Sequence, residues 1–162
     1  MNWKNVALII LISTGVLFSQ EKKQPPKPAK MTFVKLDKII RNFSTTVQQG
    51  PNFWQFLDGD IQMMCIVDTT HDRMRVITPI IDTDELTEEH KEKIMAANFH
   101  SALDARYAAN DGVLYSAFIH PLSPLREKEL RAALKQVSVL ARTFGTTYSS
   151  SELIFGGQTS DK

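Results

Sequence analysis

Residues 100–130, HSALDARYAANDGVLYSAFIHPLSPLREKEL, carry the reading that decides the fold. Two extended runs, "SALDARYAA" and "GVLYSAFIH", are separated by Asn110, Asp111 and Gly112. These residue types accept left-handed backbone, so they let two strands reverse tightly, and the pattern predicts a hairpin. Ser123 and Pro124 then read as the N-cap and first residue of a helix. The same window holds His100, His120, Asp104, Asp111, Arg106 and Ser123, and so it is also the stretch best stocked for chemistry.

Working outward from this hairpin, Leu130, Ala133, Leu134, Val137, Leu140, Ala141 and Phe144 recur at helical spacing, with Arg126, Lys128, Arg131 and Lys135 off that face. Gly145 is the expected stop. On the N-terminal side, "LTEEHKEKIMAANF" predicts a helix capped by Thr87, with Glu88 and Glu89 at the positive end of its dipole. Ile94, Ala97 and Phe99 are expected to be partly buried. Earlier still lie three strand-like runs, "NFWQFL", "IQMMCIVD" and "RMRVITPII", joined by turns at residues 58–60 and 69–72. Short links favour an antiparallel meander. Before them Phe33, Leu36, Ile40, Phe43 and Val47 form an apolar helical stripe, closed by Gly50 and Pro51. The predicted order is helix, three strands, helix, two strands, helix: an α+β domain at residues 32–148 with an antiparallel sheet packed by helices.

The chain begins with an apolar, uncharged run from Val6 to Phe18 behind Lys4. It is shorter than the roughly 20 residues a helix needs to span a bilayer. Residues 1–19 are therefore read as a signal peptide cut after Ser19, which places the mature protein in the periplasm or outside the cell. Contact with a membrane is expected only if that segment is retained. Residues 20–31, rich in proline and lysine, read as a linker, and residues 149–162 as a flexible tail. Nineteen basic and eighteen acidic residues nearly cancel, which argues against nucleic acid as a partner, since phosphate binding needs a concentrated basic surface. Cys65 is the only cysteine. It lies in an apolar strand-like run, so burial is expected, with no internal disulfide framework.

No sequence pattern for catalysis or metal binding emerges. His71, His90, His100 and His120 lack ligand spacing on any one helix face. Asp58 and Asp60 flank a turn glycine without the further oxygen ligands of a calcium loop. Asp82, Asp84 and Glu85 precede a helix, where carboxylates meet the dipole favourably. No nucleophile elbow and no glycine-rich phosphate loop occurs.

The element order, the helix "LTEEHKEKIMAAN" ending at Asn98, the hairpin "LDARYAANDGVLYSAFIHPL" and the closing helix after "LSPLREKEL" together resemble the YbjN family and the related type III secretion chaperones of the Tir-chaperone class. The resemblance covers residues 32–146. It implies a non-enzymatic protein-binding or chaperone-like module, commonly dimeric, with no cofactor, holding extended client segments against hydrophobic patches. The N-terminal signal is a departure, since those chaperones act in the cytoplasm.

The residues themselves supply one matching feature. Met64, Ile66, Ile77, Leu114 and Phe118 are expected to form a second apolar sheet face, opposite Met63, Cys65, Val76, Val113 and Ala117. If helices leave this face open, it is a surface for a protein client or a homodimer. Two other readings stay open. A small hydrolase or lyase would use His120 with Asp104 or Asp111, and needs those groups within hydrogen-bonding reach. A carrier of an apolar ligand would need an enclosed cavity.

Overall fold

A computed structural model describes residues 30–151. The segment read as a signal, nearly all of the stretch read as a linker and most of that read as a tail fall outside the described residues. The elements run α1 (Phe33–Phe43), β1 (Val47–Gln49), β2 (Phe53–Asp58), β3 (Ile61–Asp68), β4 (Arg73–Asp82), α2 (Glu88–His100), β5 (Arg106–Asn110), β6 (Val113–Pro121) and α3 (Glu127–Arg142), with a 3-10 turn at Thr83–Glu85 before α2. The six strands form one antiparallel sheet in the order β1-β2-β3-β4-β6-β5. The expected α+β class is the class observed, with one additional edge strand.

That strand, β1, comes from the end of the stripe assigned to the first helix. Thr32 caps α1 by accepting from the Lys35 amide, and Leu36, Ile39 and Ile40 are its buried face. The helix stops at Phe43 because Ser44 turns extended, and its hydroxyl bonds both the amide and the carbonyl of Thr46. β-branched residues follow, and they favour the strand. Val47 therefore pairs with Phe56 rather than continuing a helix.

The predicted turns form. Gly59 has φ 65° between β2 and β3, and the Arg142 guanidinium from α3 holds both the Asp60 carboxylate and the Asp58 carbonyl. Asp111 and Gly112 both have positive φ, as a tight two-residue hairpin requires. The turn at residues 69–72 is tied across the molecule, because Asp72 accepts from the amide and the hydroxyl of Ser123, each at 2.8 Å. Ser123 is thereby occupied and does not cap the last helix. α3 starts instead at Glu127, where the Arg126 amide donates to the Glu129 carboxylate at 2.9 Å.

The buried apolar residues of the sheet, Ala117 apart, belong to one core with the helices. Trp54, Phe56, Met63, Cys65, Val67, Met74, Val76 and Phe118 pack there with Leu36 and Ile40 of α1 and Leu130, Leu134, Val137 and Leu140 of α3. α2 contributes Ile94 and Ala97 near β5. Phe99, expected to be partly buried, is 80% exposed; five positions beyond Ile94 a helical side chain points well away from the face that Ile94 buries. At the C-terminal end the ordered contacts reach past residue 148. The hydroxyl of Ser150 donates to the Ala102 carbonyl and its amide to the Ser101 carbonyl, so Ser149 and Ser150 are buried and docked. Met31, placed in the linker by sequence, is likewise buried and donates its amide to Ser123.

One polar contact fixes α1 on the sheet. The indole N–H of the fully buried Trp54 donates to Asp37 at 2.9 Å, and Arg41 closes on the same carboxylate and on Gln49 of β1. Burial alone would raise the Asp37 carboxyl, but the bonds from Trp54 and Arg41 and the Arg41 charge together hold it below its ordinary value. Asp37→Ala leaves the indole donor unsatisfied and should destabilise the fold by about 1–3 kcal/mol. Because the folded-state pKa is lowered, that difference should be complete above the ordinary carboxylate range near pH ~4 and shrink as the pH falls below it. Urea denaturation of both proteins across this range measures it.

Candidate functional site

Strand pairing decides which side chains share a face. Cys65 pairs with Trp54 on one side and Val76 on the other, and Val76 pairs with Phe118. Partners directly opposite in a sheet point the same way, so Trp54, Cys65, Val76 and Phe118 all face the helices. The opposite face carries the row Gln55, Met64, Ile77, Ala117 and Arg106, and beside it the row Phe53, Ile66, Arg75 and Ile119.

Met64, Ile66 and Ile77 therefore lie together on the second face as expected, each half-buried. Leu114 and Phe118 do not. They are 3% and 7% exposed and belong to the helix-covered core. Their places on the second face are taken by Ala117, Ile119 and Tyr115, and Ile119 is 62% exposed. The sequence "VLYSAFI" is apolar at both parities, and its polar residue, Ser116, is fully buried opposite Thr78. A hydroxyl inside the core inverts the pattern that alternation reading relies on. A register shift between Pro79 and Ile81 then lets Ile81 pair with Leu114 on the inner side.

None of the described helices contributes to the core from this second face. Its surface is grooved. A cleft of about 310 Å³ is bordered by Gln55, Gln62, Met64, Ile77, Pro79 and Tyr115. A second, larger groove of about 670 Å³ runs along Ile66, Asp68, Arg73, Arg75 and Ile119 toward Asn52 and Thr70. Leu57, 40% exposed, adds to the apolar surface on β2. Both clefts are open to the surface. Met95 and Phe99 form a separate exposed apolar pair on α2.

The two edges of the sheet differ. On β5 the Asn98 side chain acts as a substitute strand, donating to the Tyr107 carbonyl at 3.1 Å and accepting from the Tyr107 amide at 2.7 Å. Gln136 accepts from the amides of Asp104 and Ala105 just before it. The outward amide and carbonyl of Tyr107, which an extended segment would pair with, are thus already satisfied. Asn98, in the last turn of α2 and a marker in the sequence resemblance, has this physical role. The other edge, β1, pairs with β2 alone.

The groups considered for catalysis do not assemble. The His120 imidazole lies against its neighbouring Pro121 carbonyl and stacks on Phe118. The Asp104 carboxylate accepts from Gln136 at 3.3 Å, and Asp111 accepts from Asn110 in the hairpin turn at the other end of β6. No hydrogen bond among the described residues joins His120 to either aspartate. Cys65 is completely buried, which pushes its thiol well above the reactive range. Burial likewise raises Tyr107, whose hydroxyl donates to the Leu140 carbonyl. His71 sits in its turn against Asp68, and His90 completes the cap of α2 with Thr87. Asp82, Asp84 and Glu85 bring carboxylate oxygens within 4.8 Å of one another, all exposed, with no further ligand residue in the group among the described residues. No described helix is long and apolar enough to cross a membrane.

No protein-family model matches the sequence, and no curated protein matches it. The structure is nonetheless similar to solved ones. A chain from the crystal structure of the ExsC–ExsE complex aligns with a TM-score of 0.52 at 12% identity, over 76% of this chain and 97% of that one. A chain from the HopA1–SchA chaperone–effector complex aligns with a TM-score of 0.52 at 12% identity, over 67% and 88%. The expected type III secretion chaperone-like architecture is thus the architecture found, at the level of fold.

Two substitutions separate the faces. Phe118→Ala should cost about 3–5 kcal/mol, the usual range for emptying a core aromatic site. Its neighbour Ile119→Ala should stay within about 0.5 kcal/mol, as exposed positions do. Urea midpoints measure both. Asn98→Ala should destabilise by about 1–3 kcal/mol, because the Tyr107 amide and carbonyl lose their partner. Faster amide exchange in β5 than in β3 would report the opened edge.

Proposed function

We propose that this chain is an exported, non-enzymatic protein-binding module of chaperone type. It would hold an extended segment of a client protein on the uncovered face of its sheet. The single observation carrying this reading is the grooved face formed by Met64, Ile66, Ile77 and Ile119, which no described helix covers. Contiguous apolar surface of this kind marks interaction sites, and methionine adapts to irregular partners. The fold shared with chains of the ExsC–ExsE and HopA1–SchA complexes, the second a chaperone–effector complex by description, supports the same reading. The scattered positions of His120, Asp104 and Asp111 favour it over a hydrolase or lyase. Export rests on the apolar run Val6–Phe18 at the N-terminus. A second copy of the chain, giving a homodimer, is the competing occupant of the same face.

Full-length protein is titrated into a fluorescent 12-residue peptide of alternating leucine and polar residues, and its mass is measured by sedimentation. Binding should be lost in the double variant Ile66→Glu, Ile119→Glu while the melting temperature stays within a few degrees of the parent. Loss of a dimer in that variant, with no peptide bound by the parent, would assign the face to self-association. Unchanged peptide binding would place the client elsewhere.

A further inference from the structure

The uncovered face is cationic as well as apolar. Arg73, Arg75 and Arg106 project from it, because each shares a pairing row with a residue of that face: Asp68, Ile66 and Ala117 respectively. Arg75 lies directly between Ile66 and Ile119. Among the described residues it forms no ion pair and no side-chain hydrogen bond. The nearby carboxylates are engaged locally. Asp68 accepts from His71 and from the amides of Thr70 and His71. Asp72 accepts from Ser123, and Asp104 from Gln136. Each of these bonds is made with a neighbour other than an arginine. The remaining polar residues of the face are the uncharged Gln48, Gln55, Gln62, Asn110 and Tyr115, and one further carboxylate, Asp82, at the far end of β4 from Arg73.

A free guanidinium between the half-buried Ile66 and the exposed Ile119 is a demanding partner. It offers several donors in a planar fork that matches a carboxylate, in a setting where apolar neighbours lower the local dielectric. We propose, building on the protein-binding reading above, that the client segment is an acidic–apolar one. Alternate aliphatic side chains would fill the grooves beside Met64, Ile77, Ile66 and Ile119, and an aspartate or glutamate would reach Arg75. Charge disfavours one other occupant. The chain's own N-terminal tether carries Lys22, Lys23, Lys27 and Lys30, so it is repelled from this face.

The test uses full-length protein and three labelled 12-residue peptides sharing the same leucine positions, with glutamate, serine or lysine between them. The glutamate peptide should bind about tenfold more tightly than the serine peptide, equal to about 1.4 kcal/mol, and the lysine peptide most weakly. Arg75→Glu should reverse that order, whereas Arg75→Lys should keep it with a reduced margin. Raising the salt should weaken the glutamate peptide alone. Equal binding of all three, unchanged in Arg75→Glu but lost in Ile66→Glu, Ile119→Glu, would overturn the acidic preference and leave the apolar groove standing. No binding of any peptide would remove both readings. Binding to phosphatidylglycerol vesicles in place of the glutamate peptide, lost in Arg75→Glu, would overturn the protein client in favour of an anionic lipid surface.

Discussion

A sheet covered on one side only has to settle, strand by strand, which parity of residue meets the helices. Here that is decided by the pairing of Trp54, Cys65, Val76 and Phe118 in one row across four strands. Each of the four is buried, and α1 and α3 close over them. A one-residue slip in any of these strands would send its core residues to solvent. The rest of the molecule follows from holding this row in phase. Arg142 clamps the β2–β3 turn, Asp72 and Ser123 tie the β3–β4 turn to the approach to α3, and Asp111 and Gly112 fix the last hairpin.

Most of that architecture was legible in the residues. The glycine and aspartate turns, the Thr87 cap and the apolar stripe of α3 each carry a local mechanism, and each sits where its mechanism puts it. The candidate surface was legible only in part. In β3 and β4, Met64, Ile66 and Ile77 could be phased because Arg73 and Arg75 mark the outward parity. In β6 no charge interrupts the strand between Val113 and Ile119, and Ser116 and Thr78 are buried. Small hydroxyls lie under the helices while Ile119 meets solvent, so polarity reports the wrong side. Phe118 and Ile119 exchange roles on that account.

The locations of Ser123 and Ser149 show a second limit. A serine before a proline at a helix start is a natural cap, and only a partner 51 residues away, Asp72, redirects it. Long-range partners of this kind have no local signal. The same holds for Ser149 and Ser150, polar residues in a polar segment that are buried against the end of α2 by bonds to Ser101 and Ala102.

The amide of Asn98 occupies the place at β5 that a neighbouring strand would take. Its consequence reaches beyond the single molecule. An open sheet with two receptive borders can pass a chain of additions from one copy to the next without end, as fibres do. With one border blocked at Tyr107, a copy that accepts a strand at β1 has a poorer template to offer the next. Association of this kind is biased to stop after one step, whether the guest is a foreign segment or a sister molecule. For a protein that presents apolar surface to its surroundings, a side chain spent on one edge works against runaway strand addition.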